Sequence, residues 1–119
     1  YHGPFLGEAV DESWALSLRE RTRSRFLRAL GALGNFWEAG GACERAISIY
    51  LRGLEVDPLA EVFYRHLMNC YIRAGRPAEA CATYERCCRA LATLLKVGPA
   101  PETRALYQTI PRDRPVTDR

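Results

Sequence analysis

Displaced against itself by thirty-four residues, the chain matches itself in a run of positions. Leu30 meets Tyr64, Leu33 meets Leu67, Asn35 meets Asn69, Trp37 meets Tyr71, Gly41 meets Gly75, Ala46 meets Ala80 and Tyr50 meets Tyr84. Large apolar residues coincide with large apolar residues, the turn glycines coincide, and a small alanine recurs where one helix must approach another. A repeat of this length with such spacing restricts the chain to stacked helical hairpins.

The apolar spacing outlines five helices. From about Glu12 to Ala39, Trp14, Leu18, Phe26, Leu30, Leu33 and Trp37 recur at intervals suited to one helical face, with Thr22 as the polar interruption, and Gly40-Gly41 ends the run. A second helix, about Cys43 to Val56, is expected to bury Ala46, Tyr50 and Leu54. Asp57-Pro58 offers an N-cap and a first-turn proline to a third helix that reaches about Ala74 and buries Phe63, Tyr64, Leu67 and Tyr71. A fourth runs from Pro77 to Leu95 through Ala80, Tyr84, Cys87, Leu91 and Leu94, and a short fifth from about Pro101 to Ile110 presents Leu106 and Ile110. Gly31, Gly34 and Gly53 lie inside helices, where they permit close helix contact. No segment alternates with period two for long enough to make a strand, so the fold class is all-α.

The register carrying Leu33-Gly34, Trp37, Ala46, Tyr50 and Pro58, then Leu67, Tyr71, Ala80 and Tyr84, resembles two tetratricopeptide (TPR) units. Further residues narrow the likeness: Tyr1-x-Gly3-x-Phe5-Leu6, Trp14, Arg25 to Leu27, Asp57-Pro58-Leu59-x-Glu61, Met68-x-x-Tyr71-x-x-x-Gly75, Tyr84-x-x-Cys87 and Pro101-Glu102-Thr103-x-x-Leu106-Tyr107. Together they resemble the bacterial transcriptional activator domain, which follows a winged-helix DNA-binding domain in SARP-type regulators. The resemblance covers about residues 1–110 and leaves 111–119 as a polar tail or linker. It implies TPR-like antiparallel hairpins in a right-handed superhelical arrangement, and a non-catalytic protein–protein interaction module without cofactor. The implied partners are a second copy as a homodimer, RNA polymerase or a peptide segment, with DNA contacted only through the separate winged-helix domain. Two positions depart from the family pattern, Lys96 standing where glycine is usual and Ala100 where serine is usual. With the backbone kept, Lys96 is left-handed at a cost of ~1 kcal/mol and the fifth helix lacks a side-chain cap worth ~1 kcal/mol, so looseness is expected in the last hairpin.

Composition excludes several classes. A chain of 119 residues makes one domain with a core large enough to dispense with disulfides or metal. Its apolar stretches are broken by charges well short of the ~18 residues that cross a bilayer, so no membrane contact is expected. The chain opens at Tyr1 and its one methionine is Met68, which reads as a domain of a longer polypeptide. Net charge is +3 and the basic residues are arginines apart from Lys96. The pI of 8.7 falls below the range above ~9 usual for phosphate-binding domains, so sequence-specific DNA binding by this segment is not expected. Cys43, Cys70, Cys81, Cys87 and Cys88 are odd in number and include no C-x-x-C pair, so neither a disulfide framework nor a zinc site is indicated, and a reducing cytoplasm fits. Neither His2 nor His66 pairs with a cysteine by spacing, and no Ser-His-Asp order, phosphate loop or H-E-x-x-H appears. A thiol-dependent redox protein is the weakest reading, because Cys87 occupies the small-residue position of the repeat.

Two constellations remain. Arg65, Asn69 and Arg73 form one stripe at i, i+4 and i+8 on the third helix, and Arg28 and Asn35 hold comparable places on the first. A guanidinium fork suits bidentate carboxylate pairing, and these positions resemble those from which TPR domains grip a peptide carboxylate. The five are therefore candidate partner-binding residues, for a transcriptional partner or, alternatively, for a general peptide-binding adaptor; the plain alternative is a solvated helix face. The second constellation is Arg19, Arg21, Arg23, Arg25 and Arg28, whose attraction for polyanions is weighed against solvation and partial neutralisation by Glu20 and the second helix.

Overall fold

The computed structural model describes residues 4–111, with side chains from residue 13 onward. It consists of five helices: α1 (Pro4–Ala39), α2 (Cys43–Val56), α3 (Glu61–Arg73), α4 (Pro77–Leu94) and α5 (Pro101–Gln108). Short connections make successive helices antiparallel hairpins, and the fold is all-α and TPR-like. Among the described residues no helix is long and apolar enough to cross a membrane.

The α1–α2 and α3–α4 turns are copies of one another at the repeat distance. Gly41 and Gly75 are both left-handed, at φ 79° and 74°. The next amide in each case reaches back over the turn, Ala42 N to Trp37 O at 2.9 Å and Arg76 N to Tyr71 O at 2.8 Å. Each glycine thereby satisfies end-of-helix carbonyls that a side chain at that φ would strain. Lys96 takes the left-handed place at the end of α4 with φ 57°, as the departure from glycine implied.

The core runs through α2, α3 and α4. Tyr50, Tyr64, Leu54, Leu67 and Met68 are fully buried, and Ala46 and Ala80 have no exposed surface. Those alanines are the close-contact positions of the two repeats. Ala46→Leu or Ala80→Leu is expected to overpack its hairpin and cost ~1–3 kcal/mol in urea denaturation; a neutral result would place the helix contact elsewhere.

Several sequence expectations need correction. α1 begins at Pro4 instead of Glu12, and of its stripe only Leu30 is buried. Trp14, Leu18, Phe26 and Leu33 are exposed. The first half of α1, about 54 Å long in all, has no described helix beside it, and in the second half the packed face is the one that carries Leu30 and Gly34. Leu94 is likewise exposed, at the free end of α4. Asp57-Pro58 does not start α3. The Asp57 carboxylate instead accepts from Leu59 N at 3.0 Å and holds a turn, and α3 begins at Glu61. Ala100 provides no side-chain cap to α5, as expected, and the start of α5 is tied instead to α3. The Glu61 carboxylate accepts from Ala100 N at 2.6 Å and from the Thr103 hydroxyl at 2.7 Å. The tail expected at 111–119 lies outside the described residues except for Pro111.

Candidate functional site

α3 lies between α1 and α5, and the three helices share one face of the domain. Among the described residues, three clefts on that face are formed by α1, α3 and α5. The first, about 480 Å³ between α1 and α3, is lined by Leu27, Arg28, Gly31, Asn35, Val62 and Phe63 among others. The second, about 270 Å³, continues it past Asn35, Glu38 and Arg73. The third, about 490 Å³ between α3 and α5, is lined by Arg65, Asn69, Glu102, Leu106 and Thr109 among others. His66 borders all three.

The five candidate residues thus fall on one face, although not in one ring. Arg28 and Asn35 border the first cleft, Asn35 and Arg73 the second, Arg65 and Asn69 the third. Asn35 and Asn69, one repeat apart in sequence, stand on opposite sides of His66.

Two of the three arginines are already engaged. Arg65 Nη1 donates to the Thr103 hydroxyl at 3.0 Å, and that hydroxyl donates onward to Glu61. Arg73 donates to the Glu38 carboxylate at 3.2 Å and to the Glu38 carbonyl at 3.3 Å. Arg28 and Asn69 have no side-chain hydrogen bond among the described residues.

Glu38 is the hub of the face. Its side chain is 12% exposed and takes the Tyr50 hydroxyl at 2.8 Å, His66 Nδ1 at 3.0 Å and Arg73. Because a carboxylate can only accept, His66 carries a proton on Nδ1. The imidazole also stacks on the Tyr50 ring, centroids 4.9 Å apart. The Tyr50 hydroxyl also lies 2.6 Å from Asn35 Oδ1. A phenol has one proton, and the carboxylate is the stronger acceptor, so Glu38 takes it with Asn35 Oδ1 as a second acceptor within reach. Burial first, then the neighbouring Glu38, holds the Tyr50 phenol well above its ordinary pKa.

Glu38 and His66 were not among the sequence candidates. The signal that finds His66 is its spacing to Asn69 and Arg73, i+3 and i+7, which puts it on their stripe; Glu38 lies i+3 from Asn35 in the same way. No residue-type motif marks either one.

The remaining chemistry is structural. Cys70 and Cys87 are buried, and burial pushes both thiols up to about 12, with Glu38 and Glu61 adding in turn. At neutral pH they are protonated and unreactive. Cys43, Cys81 and Cys88 are partly exposed. Among the described residues no group of three or more His, Cys, Asp or Glu could hold a metal. On α1, Arg23 pairs with Glu20 at 3.2 Å, and Arg19, Arg21, Arg25 and Arg28 are exposed.

No curated protein and no solved structure matched the chain. The family model described as the bacterial transcriptional activator domain matches residues 1–111, nearly the whole sequence. With the hairpin register, the paired glycine turns and the all-helical packing in agreement, the chain belongs to the bacterial transcriptional activator domain family.

Proposed function

We propose that this domain is a non-catalytic protein–protein interaction module of a bacterial transcription regulator, and that the α1–α3–α5 face is its partner surface. In this reading a winged-helix domain elsewhere in the regulator binds DNA, and the face carrying Arg28, Asn35, Arg65, Asn69 and Arg73 couples it to a protein partner, a second copy or RNA polymerase. The partner presents an acidic or carboxylate-bearing segment. The observation that carries the reading is the convergence of all five residues on three adjoining clefts around His66. The internal bonds of Arg65 and Arg73 divide the labour: these two hold the face in shape, while Arg28 and Asn69 keep their polar groups for the partner.

The test is transcription reconstituted with the intact regulator carrying Arg28→Glu together with Asn69→Glu. A partner contact desolvated in the interface loses ~2–5 kcal/mol when its charge is removed, against under ~1 kcal/mol at a solvated rim. Activation is therefore expected to fall at least about tenfold while promoter retention and melting temperature stay unchanged. Wild-type activation, or a parallel loss of promoter retention, would overturn the reading.

A further inference from the structure

The cleft between α1 and α3 differs from its neighbours in chemistry. Its floor is apolar, made by Leu27, Phe63 and Val62, the last of these 43% exposed. Small residues, Gly31, Ala32 and Ala60, give it depth. A Cβ on Gly31 would rest 3.5 Å from the Phe63 ring, so the two helices approach without sealing the gap. Among the described residues no acidic side chain lines it. Its open edge is basic: Arg28 borders the cleft, and Arg21 and Arg25, both exposed, share that side of α1 in the preceding turns.

What can occupy such a cleft is limited by backbone hydrogen bonding. The walls are helices whose amides and carbonyls are bonded internally, and the polar side-chain groups at the floor's end are the Asn35 amide and the His66 ring. An extended segment laid there would find on the protein only those groups and Arg28 to bond its backbone. A helix brings its backbone bonds with it and presents only side chains.

We propose that this cleft binds the apolar face of an acidic amphipathic helix from a partner protein. Apolar side chains spaced at i, i+3 and i+4 enter between Leu27 and Phe63, and the acidic flank lies along Arg21, Arg25 and Arg28. The inference rests on the reading of this face as a partner surface and names the class of segment it takes. Arg28 sets orientation, because it is the cation beside the apolar floor. A basic amphipathic helix of equal hydrophobicity is rejected by the same arginines.

The test uses two synthetic peptides of about 15 residues, lactam-bridged to hold the helix. Both carry leucines at the i, i+3, i+4 and i+7 positions; one has glutamates and the other lysines on the flanks. Binding is followed by fluorescence anisotropy, and the bound site is mapped by amide chemical-shift changes in the labelled protein. The glutamate peptide is expected to bind saturably, with the lysine peptide at least about tenfold weaker. Shifts should concentrate at residues 27–35 and 60–66. Ala32→Glu, at an exposed position on the cleft wall, should weaken the glutamate peptide at least about tenfold without lowering the melting temperature. No saturable binding, equal binding of the two peptides, indifference to Ala32→Glu, or shifts confined to the α3/α5 cleft would each overturn the proposal. The transcription assay is independent of the peptides, so failure here leaves the broader reading to stand or fall by that assay.

Discussion

Glu38→Ala is expected to destabilise the domain by about 2–4 kcal/mol, and to lower its melting temperature by roughly 10–20 °C. The carboxylate accepts from three side chains on α2 and α3, and the three respond differently to its loss. Tyr50 is fully buried, and without Glu38 its hydroxyl falls back on the neutral Asn35 Oδ1. A hydrogen bond to a charged group contributes about 1.5–3 kcal/mol, more than one to a neutral acceptor. His66, 31% exposed, recovers part of its bond from water, and Arg73, 48% exposed, rehydrates readily. Two controls separate the contributions. Arg73→Ala should cost under about 1 kcal/mol, because a half-exposed ion pair contributes little. Glu38→Gln keeps an acceptor for Tyr50 and should cost less than Glu38→Ala. Thermal and urea denaturation followed by circular dichroism measures all three; equal losses for Arg73→Ala and Glu38→Ala would mean that the ion pair, and not the buried hydroxyl, holds the hub.

Gly53→Ala is the second substitution with a large expected effect, against the usual preference of helices for alanine. In an open helix the change would stabilise by about 1 kcal/mol. Here the added Cβ would overlap the ring of Phe63, which is 5% exposed, so either the ring is pushed toward the α1–α3 cleft or the two helices must part. Separating α2 from α3 to admit it strains a core contact at a cost of about 1–3 kcal/mol or somewhat more, and that exceeds the helix gain. Phe63→Leu in the same chain should restore part of the loss, giving a favourable coupling in a double-mutant cycle. A stabilised Gly53→Ala would show that α2 and α3 do not approach this closely. Gly34 is a milder case, its Cβ falling 2.5 Å from the Tyr50 ring, whereas Gly31 meets only ordinary contact at 3.5 Å. Of the three helical glycines read as close-contact positions, two are enforced by an aromatic ring and one is not.

Local chemistry explains what was legible in the sequence. The helix order, the glycine turns, the buried alanines and the left-handed Lys96 each depend on a few neighbouring residues, and the thirty-four-residue repeat doubled the signal. The family likeness rested on the same residues and holds over 1–111. Periodicity misread the first half of α1, because an apolar stripe records where a surface can be covered, while burial requires a neighbour to cover it. It misread Asp57-Pro58 for a related reason: the pair suits both a helix start and a tight turn, and the packing of Leu59 and Ala60 against the core selects the turn.

Residue spacing is enough to specify an all-helical repeat, its turns, its core alanines and the stripe of Arg65, Asn69 and Arg73. What those side chains do depends on the packing of the helices. The repeat makes Tyr50 and Tyr84 equivalent, yet Tyr50 bonds Glu38 while Tyr84 stacks on Tyr107 with centroids 4.0 Å apart. Likewise Glu61 ties down the start of α5 from thirty-nine residues away. Secondary structure follows from short-range periodicity and backbone preference, which the chain carries in its order. The partner of a carboxylate or a guanidinium is set by which helices meet across the fold, and that distance is not written in the spacing of the residues themselves.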